Sequence, residues 1–146
     1  PEGASALLFY LAAYAFMSNG AFAFLRSSGL VLRAQLSGYA RRAPALAAAF
    51  AVLLFSLAGI PPTGGFFAKL LVLWKSVQAG QLGPAGWAAL SALVSLAVYL
   101  GLVRSMYFDE PVGDVPAPGR GAGLVVTLAA ASALLGLAPW ALGGPR

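Results

Sequence analysis

Four stretches of this chain carry no charged residue, and each is long enough to cross a bilayer as a helix. They are Gly3–Leu25 (23 residues), Ala43–Ala68 (26), Ser76–Val103 (28) and Gly121–Pro145 (25), together 102 of the 146 residues. About 20 predominantly apolar residues are enough to span the hydrocarbon core as a helix. The expected fold is therefore all-α: a polytopic transmembrane helix bundle of about four spans, near residues 4–25, 44–78, 85–106 and 121–142. Composition points the same way. Hydrophobic residues make up 60% of the chain and charged residues 9%, against about 45–50% and about 25% in a globular domain. The chain has no Cys and no His. That excludes disulfide scaffolds, thiolate metal sites and His-based catalysis. No phosphate loop and no nucleophile–base pair is present, so neither a catalytic nor a metal site is expected.

The net charge of +5 does not indicate a nucleic-acid partner. Nucleic-acid binders cluster Lys and Arg on one solvated face or tail. Here eight of the nine basic residues lie between or beside spans, where they act as topology signals. The connection after the first span carries Arg26, Arg33, Arg41 and Arg42, and the one after the third is flanked by Arg104 and Arg120. The opposite side holds Lys75 and Arg146. The positive-inside rule then puts Arg26–Arg42 and Asp109–Arg120 in the cytoplasm and both ends of the chain outside, in a cell (inner) membrane. The chain opens on Pro1, and its first window has no basic leader region. It is not read as a signal peptide, and earlier spans are expected to precede it.

The second apolar segment is too long for one straight span. Pro44–Gln78 would make roughly 50 Å of helix, against a hydrocarbon core of about 30 Å. At its centre Pro61 and Pro62 remove two backbone donors and clash with the preceding turn. Gly59, Gly64 and Gly65, with Thr63 among them, permit backbone conformations closed to other residues. The sequence predicts two half-helices with an interruption between about Ala58 and Phe66. Unwound backbone at membrane depth must be buried in protein or line a wet cavity, and broken helices mark ion-handling sites in transporters. A Pro-kinked structural helix is the simpler alternative.

Lys69 follows the break by one turn. A lysine at mid-membrane costs about 2.5–3.5 kcal/mol on insertion scales, and such residues face the protein interior. Burial disfavours the ammonium relative to the neutral amine, which brings proton exchange within reach of neutral pH. The alternative is snorkelling to the headgroups, which suits Lys75 better because it follows Trp74 near the segment's end. The four acids are Glu2, Asp109, Glu110 and Asp114, all terminal or in a loop. Lys69 is thus either largely neutral or paired with a charge from outside this chain. Tyr10, Tyr14, Ser18, Asn19, Ser56, Ser91, Ser95 and Tyr99 are polar positions within spans that could hold a water relay beside it. Ordinary interhelical hydrogen bonding is the plainer role for each. Small residues at Ala88, Ala89, Ser91, Ala92 and Ser95, and in the run Leu128–Leu135, are read as close helix packing.

Leu57-Ala-Gly-Ile-Pro-Pro-Thr-Gly-Gly-Phe-Phe-Ala-Lys-Leu70 resembles the broken twelfth helix of the antiporter-like membrane subunits of respiratory complex I, NADH:quinone oxidoreductase. Leu36–Leu46 is similar to the loop before that helix, and Leu8–Ala23 to the eleventh helix. The likeness is closest to the subunit N branch and runs from Leu7 to about Glu110. The last span agrees only in position and hydropathy. The resemblance implies the last four or so helices of a fourteen-helix, proton-translocating subunit, with Lys69 in its chain of protonatable residues near the midplane. The family's other glutamate and lysines lie on helices that precede this chain. The subunit N branch has both ends outside, as the arginines suggest here, and the long lateral helix of subunit L is not expected. The resemblance also implies no cofactor bound by this chain, with NADH, FMN, iron–sulfur clusters and quinone handled by other subunits. Its implied partners are other membrane subunits, including neighbouring antiporter-like ones, and the lipid bilayer. Two rival functions remain at this point: a subunit of a multisubunit sodium/proton antiporter, and a structural membrane subunit with an inert lysine.

Overall fold

A computed structural model describes residues 2–30, 33–112 and 119–137. The described residues form six helices: α1 (Glu2–Ser28), α2 (Tyr39–Arg42), α3 (Pro44–Ala58), α4 (Gly64–Gln78), α5 (Leu82–Phe108) and α6 (Ala122–Leu137), with a 3-10 turn at Arg33–Leu36. The charge-free windows fall on α1, the α3–α4 pair, α5 and α6. The long helices overrun the expected spans by a few residues, because polar residues at a membrane surface do not stop a helix. Pro84 is the third residue of α5. It is tolerated there because the first four N–H groups of a helix have no intrahelical acceptor. The final expected residues, 138–142 of the last span and the terminal Arg146, lie outside the described residues.

Each of α1, α3, α4 and α6 packs against the other three, and α5 lies on α3 and α4. Small residues make this close approach possible. On α6, Val125, Ala129, Ser132 and Gly136 are buried, spaced to share one helical face. On α1, a Cβ at Gly20 would stand 2.7 Å from Leu53 of α3. Within the largest buried cluster an aromatic trio joins α1, α2 and α3: the rings of Phe24 and Phe50 stack with centroids 3.7 Å apart, and Tyr39 meets Phe24 edge-on at 5.5 Å. The outer faces stay apolar. Leu8 and Phe22 of α1 and Trp87, Leu93 and Val94 of α5 are exposed, as a surface facing lipid or other membrane helices requires. The expected small-residue packing face of α5 is not used within this chain over Ala88, Ala89 and Ser91, which are exposed.

Both basic connections lie at one end of the bundle. Gly38 N–H donates to the Ser105 carbonyl (3.1 Å), the Ser37 and Ser105 hydroxyls are 3.0 Å apart, and Arg41 meets Glu110 at 3.3 Å. Gly119 N–H donates to the Ser27 carbonyl at 2.7 Å. Gly38 has φ +65°, and a Cβ there would stand 2.7 Å from Pro111, so this junction requires glycine.

Candidate functional site: a helix end closed by a lysine

The interruption lies between Ala58 and Gly64. A helix ends with four carbonyls that have no intrahelical donor, and on α3 these belong to Phe55, Ser56, Leu57 and Ala58. Gly59 turns into the left-handed region at φ 83°, ψ 45°. Its N–H reaches Phe55 O (3.0 Å) and Ser56 O (3.1 Å), and Ile60 N–H reaches Phe55 O (3.0 Å). This is a Schellman cap, and it satisfies the first two carbonyls. Lys69 takes the other two: Nζ donates to Leu57 O at 2.7 Å and to Ala58 O at 3.2 Å. Its stem crosses directly over Gly59, where a Cβ would stand 3.2 Å from Lys69 Cδ. The negative end of the α3 dipole therefore faces Lys69 Nζ. Beside the neutral lysine or outside counter-charge that the sequence suggested, the structure supplies two backbone carbonyl acceptors within the chain.

The second half-helix is set against this end. The Pro61–Pro62 peptide is cis, and Thr63 turns its N–H (3.1 Å) and hydroxyl (2.7 Å) onto the Ile60 carbonyl. Gly65 N–H donates to Ser56 Oγ at 3.2 Å, and Ser132 of α6 donates to the same oxygen at 2.7 Å. Gly65 leaves no room for a side chain, since a Cβ would run into the Ser56 carbonyl. Gly136 of α6 sits equally close to the backbone of Pro62, Thr63 and Gly64. The break is thus enclosed by protein on two sides, as backbone at membrane depth must be.

On its other side Lys69 lines a cavity of about 270 Å³ between α1, α4 and α5. At about 30 Å³ per water in the liquid, several fit. The polar lining includes Tyr10, Tyr14, Ser76, Ser91, Ser95 and Tyr99. The Ser76, Ser91 and Ser95 hydroxyls donate to carbonyls of their own helices at 2.8–2.9 Å, which leaves their lone pairs available as acceptors.

The structure therefore brings together only part of the expected relay. Tyr14 and Tyr99 face the cavity with Lys69. Ser18 and Asn19 lie outside the cavity lining, and the Asn19 amide is bonded to the Ala15 carbonyl at 2.8 Å. Ser56 points away from Lys69 into the Gly65–Ser132 contact. Gly59, Pro61, Pro62, Thr63, Gly64 and Gly65 all lie at the end of α3, in the link or in the first turn of α4. Ser76 and Ser132 were not singled out from the sequence. Tyr10, Ser91 and Ser95, also expected as relay positions, line the cavity too. Among the described residues no group of three acidic, His or Cys side chains converges as a metal site would need.

A broken apolar helix, closed by a lysine and flanked by a cavity with tyrosine and serine hydroxyls, is the kind of site that ion-handling membrane proteins carry. The family model described as NADH:quinone oxidoreductase/Mrp antiporter, transmembrane part, matches residues 1–95, and the chain belongs to that family. NADH-quinone oxidoreductase subunit N of Rhodospirillum rubrum is 37% identical over 145 residues, covering 94% of this chain and 30% of that protein. The subunit N of Cupriavidus taiwanensis is 41% identical, with the same coverage. The chain thus spans about 30% of the length of these curated relatives. Among solved structures, respiratory complex I from Thermus thermophilus with bound aureothin matches with a TM-score of 0.82 at 32% identity, over 96% of this chain and 35% of that one. The Mrp complex from Dietzia sp. DQ12-45-1b also gives a TM-score of 0.82, at 24% identity, over 94% of this chain and 35% of that one. This second likeness is one of fold alone.

Proposed function

We propose that this chain is the C-terminal part of a proton-translocating membrane subunit of a complex I-type NADH:quinone oxidoreductase, with Lys69 as its proton carrier. The observation that carries the reading is the position of Nζ between the two remaining carbonyls of α3 and a polar cavity. The carbonyls stabilise the ammonium without a fixed carboxylate. The cavity gives the proton a wet route on and off. Redox chemistry, with NADH, FMN, iron–sulfur clusters and quinone, belongs to other subunits in this reading, and neighbouring membrane subunits would complete the proton path. The Arg26–Arg42 and Asp109–Arg120 connections would face the cytoplasm of a cell whose inner membrane holds the complex. The identities to subunit N relatives support this over the sodium/proton antiporter reading, which the second fold match keeps as the rival.

The test is proton pumping and NADH–quinone turnover by assembled complexes in vesicles. Lys69→Ala is expected to lower pumping per NADH while the complex assembles, with Lys75→Ala much closer to the unsubstituted protein. Normal pumping by Lys69→Ala would refute the carrier role. Sodium transport without NADH oxidation would favour the rival.

A further inference from the structure

We infer that Ser132 and Ser56 are positioning residues for Lys69, acting as a hydroxyl clasp that fixes the two half-helices against each other and against α6. The inference rests on the carrier reading of Lys69. Ser56 is fully buried and Ser132 is 1% exposed. Ser56 Oγ accepts from two different elements, Gly65 N–H at the start of α4 and Ser132 Oγ on α6. Gly65 and Lys69 are four residues apart and share one face of α4. Whatever fixes Gly65 on the last turn of α3 also fixes the height at which Nζ meets Leu57 O and Ala58 O.

The glycines show how little slack exists there. At Gly65 and Gly136 no Cβ fits between the backbones of α3, the link and α6, and at Gly64 a Cβ would stand 3.0 Å from Ser132 O. Removing Ser56 leaves the Gly65 N–H and the Ser132 hydroxyl without this acceptor, whereas removing Ser132 leaves Ser56 Oγ held by Gly65 N–H alone. The clasp joins residues 56, 65 and 132, so a change on α6 reaches the lysine without touching it.

The experiment uses assembled complexes carrying Ser132→Ala, Ser56→Ala, both together, and each in a Lys69→Ala background. Thr127→Ala serves as a control, because Thr127 is exposed and its hydroxyl bonds within α6 (2.9 Å to Leu124 O). The readouts are pumping per NADH and its pH profile. The titratable groups facing Lys69 are Tyr10 and Tyr14 from α1 and Tyr99 from α5; α3 and α6 present none among the described residues. A displacement of the profile that disappears in the Lys69→Ala background is therefore assigned to the lysine. Each Ser→Ala variant is expected to lose pumping and shift the profile, the double variant no more than either single one. Neither should add anything once Lys69 is gone. Ser132→Cys, with a weaker donor of similar volume, should fall between Ser and Ala, and it carries the test if Ser132→Ala does not assemble. An unshifted profile in assembled Ser variants, while Lys69→Ala impairs pumping, would overturn the clasp alone. Normal pumping by Lys69→Ala would overturn it together with the carrier reading.

Discussion

Replacing Gly65 by Ala tests the site through its backbone rather than through its lysine. The added Cβ would run into the Ser56 carbonyl and stand 2.7 Å from Ser56 C and 3.0 Å from Met17 Sδ. Carbon–carbon contacts settle at about 3.5–4.0 Å, so the last turn of α3 and the first turn of α4 must part by about 1 Å. The Lys69 bonds to Leu57 O and Ala58 O start at 2.7 and 3.2 Å. The same displacement takes them past the hydrogen-bond limit of about 3.5 Å unless the side chain follows. Overpacking costs about 1–3 kcal/mol, and each bond to a charged donor about 1.5–3 kcal/mol. Lys69 is partly open to the cavity, which replaces some of that loss with water. A net cost of about 2–4 kcal/mol is expected. Gly86→Ala on α5 is the control, because a Cβ there meets nothing within 4 Å. The assay is loss of assembled complex on heating, measured beside pumping per NADH. Gly65→Ala should fail at lower temperature and pump poorly. Equal behaviour of the two variants would refute the packing argument.

Two further outcomes follow from the end of the bundle that holds the basic connections. In this Cys-free chain, single cysteines at Arg41 and Glu110 should both label from the cytoplasmic side; labelling from opposite sides would contradict the fold, and labelling of both from outside would reverse the orientation. Tyr39 is fully buried, its hydroxyl has no hydrogen-bond partner among the described residues, and burial pushes the phenol above its usual pKa. Tyr39→Phe should therefore leave heat stability unchanged or raise it, since an unmet buried hydroxyl costs about 1–3 kcal/mol, and a clear loss would mean that the hydroxyl has a partner in the full assembly.

The interruption was legible because two adjacent prolines and an apolar segment longer than the membrane is thick leave few alternatives. Lys69 was legible because a lone cation in an apolar segment is costly. Its partner was not, because Leu57 and Ala58 contribute carbonyls that every residue has. Only the Schellman turn at Gly59 decides which carbonyls remain open. Ser56 shows the limit of a composition argument. It stands beside Leu57, but successive residues turn by about 100°, so Leu57 lines the cavity while Ser56 meets α6. Ser132 lies 76 positions away from Ser56, a separation no local pattern encodes. Ser18 follows Tyr14 by one turn, about 6 Å along the axis, and falls beyond the cavity for that reason.

The central claim is that Lys69 gives up its proton rather than merely filling the end of α3. Proton pumping per NADH by a Lys69→Arg complex tests it most directly. Arginine keeps a cation and several donors for Leu57 O and Ala58 O, so an anchoring lysine would be well replaced. A guanidinium stays protonated at any accessible pH, so a carrier would not be. The expected result is an assembled complex that oxidises NADH but pumps no better than Lys69→Ala. Pumping by Lys69→Arg at the level of the unsubstituted complex would contradict the account.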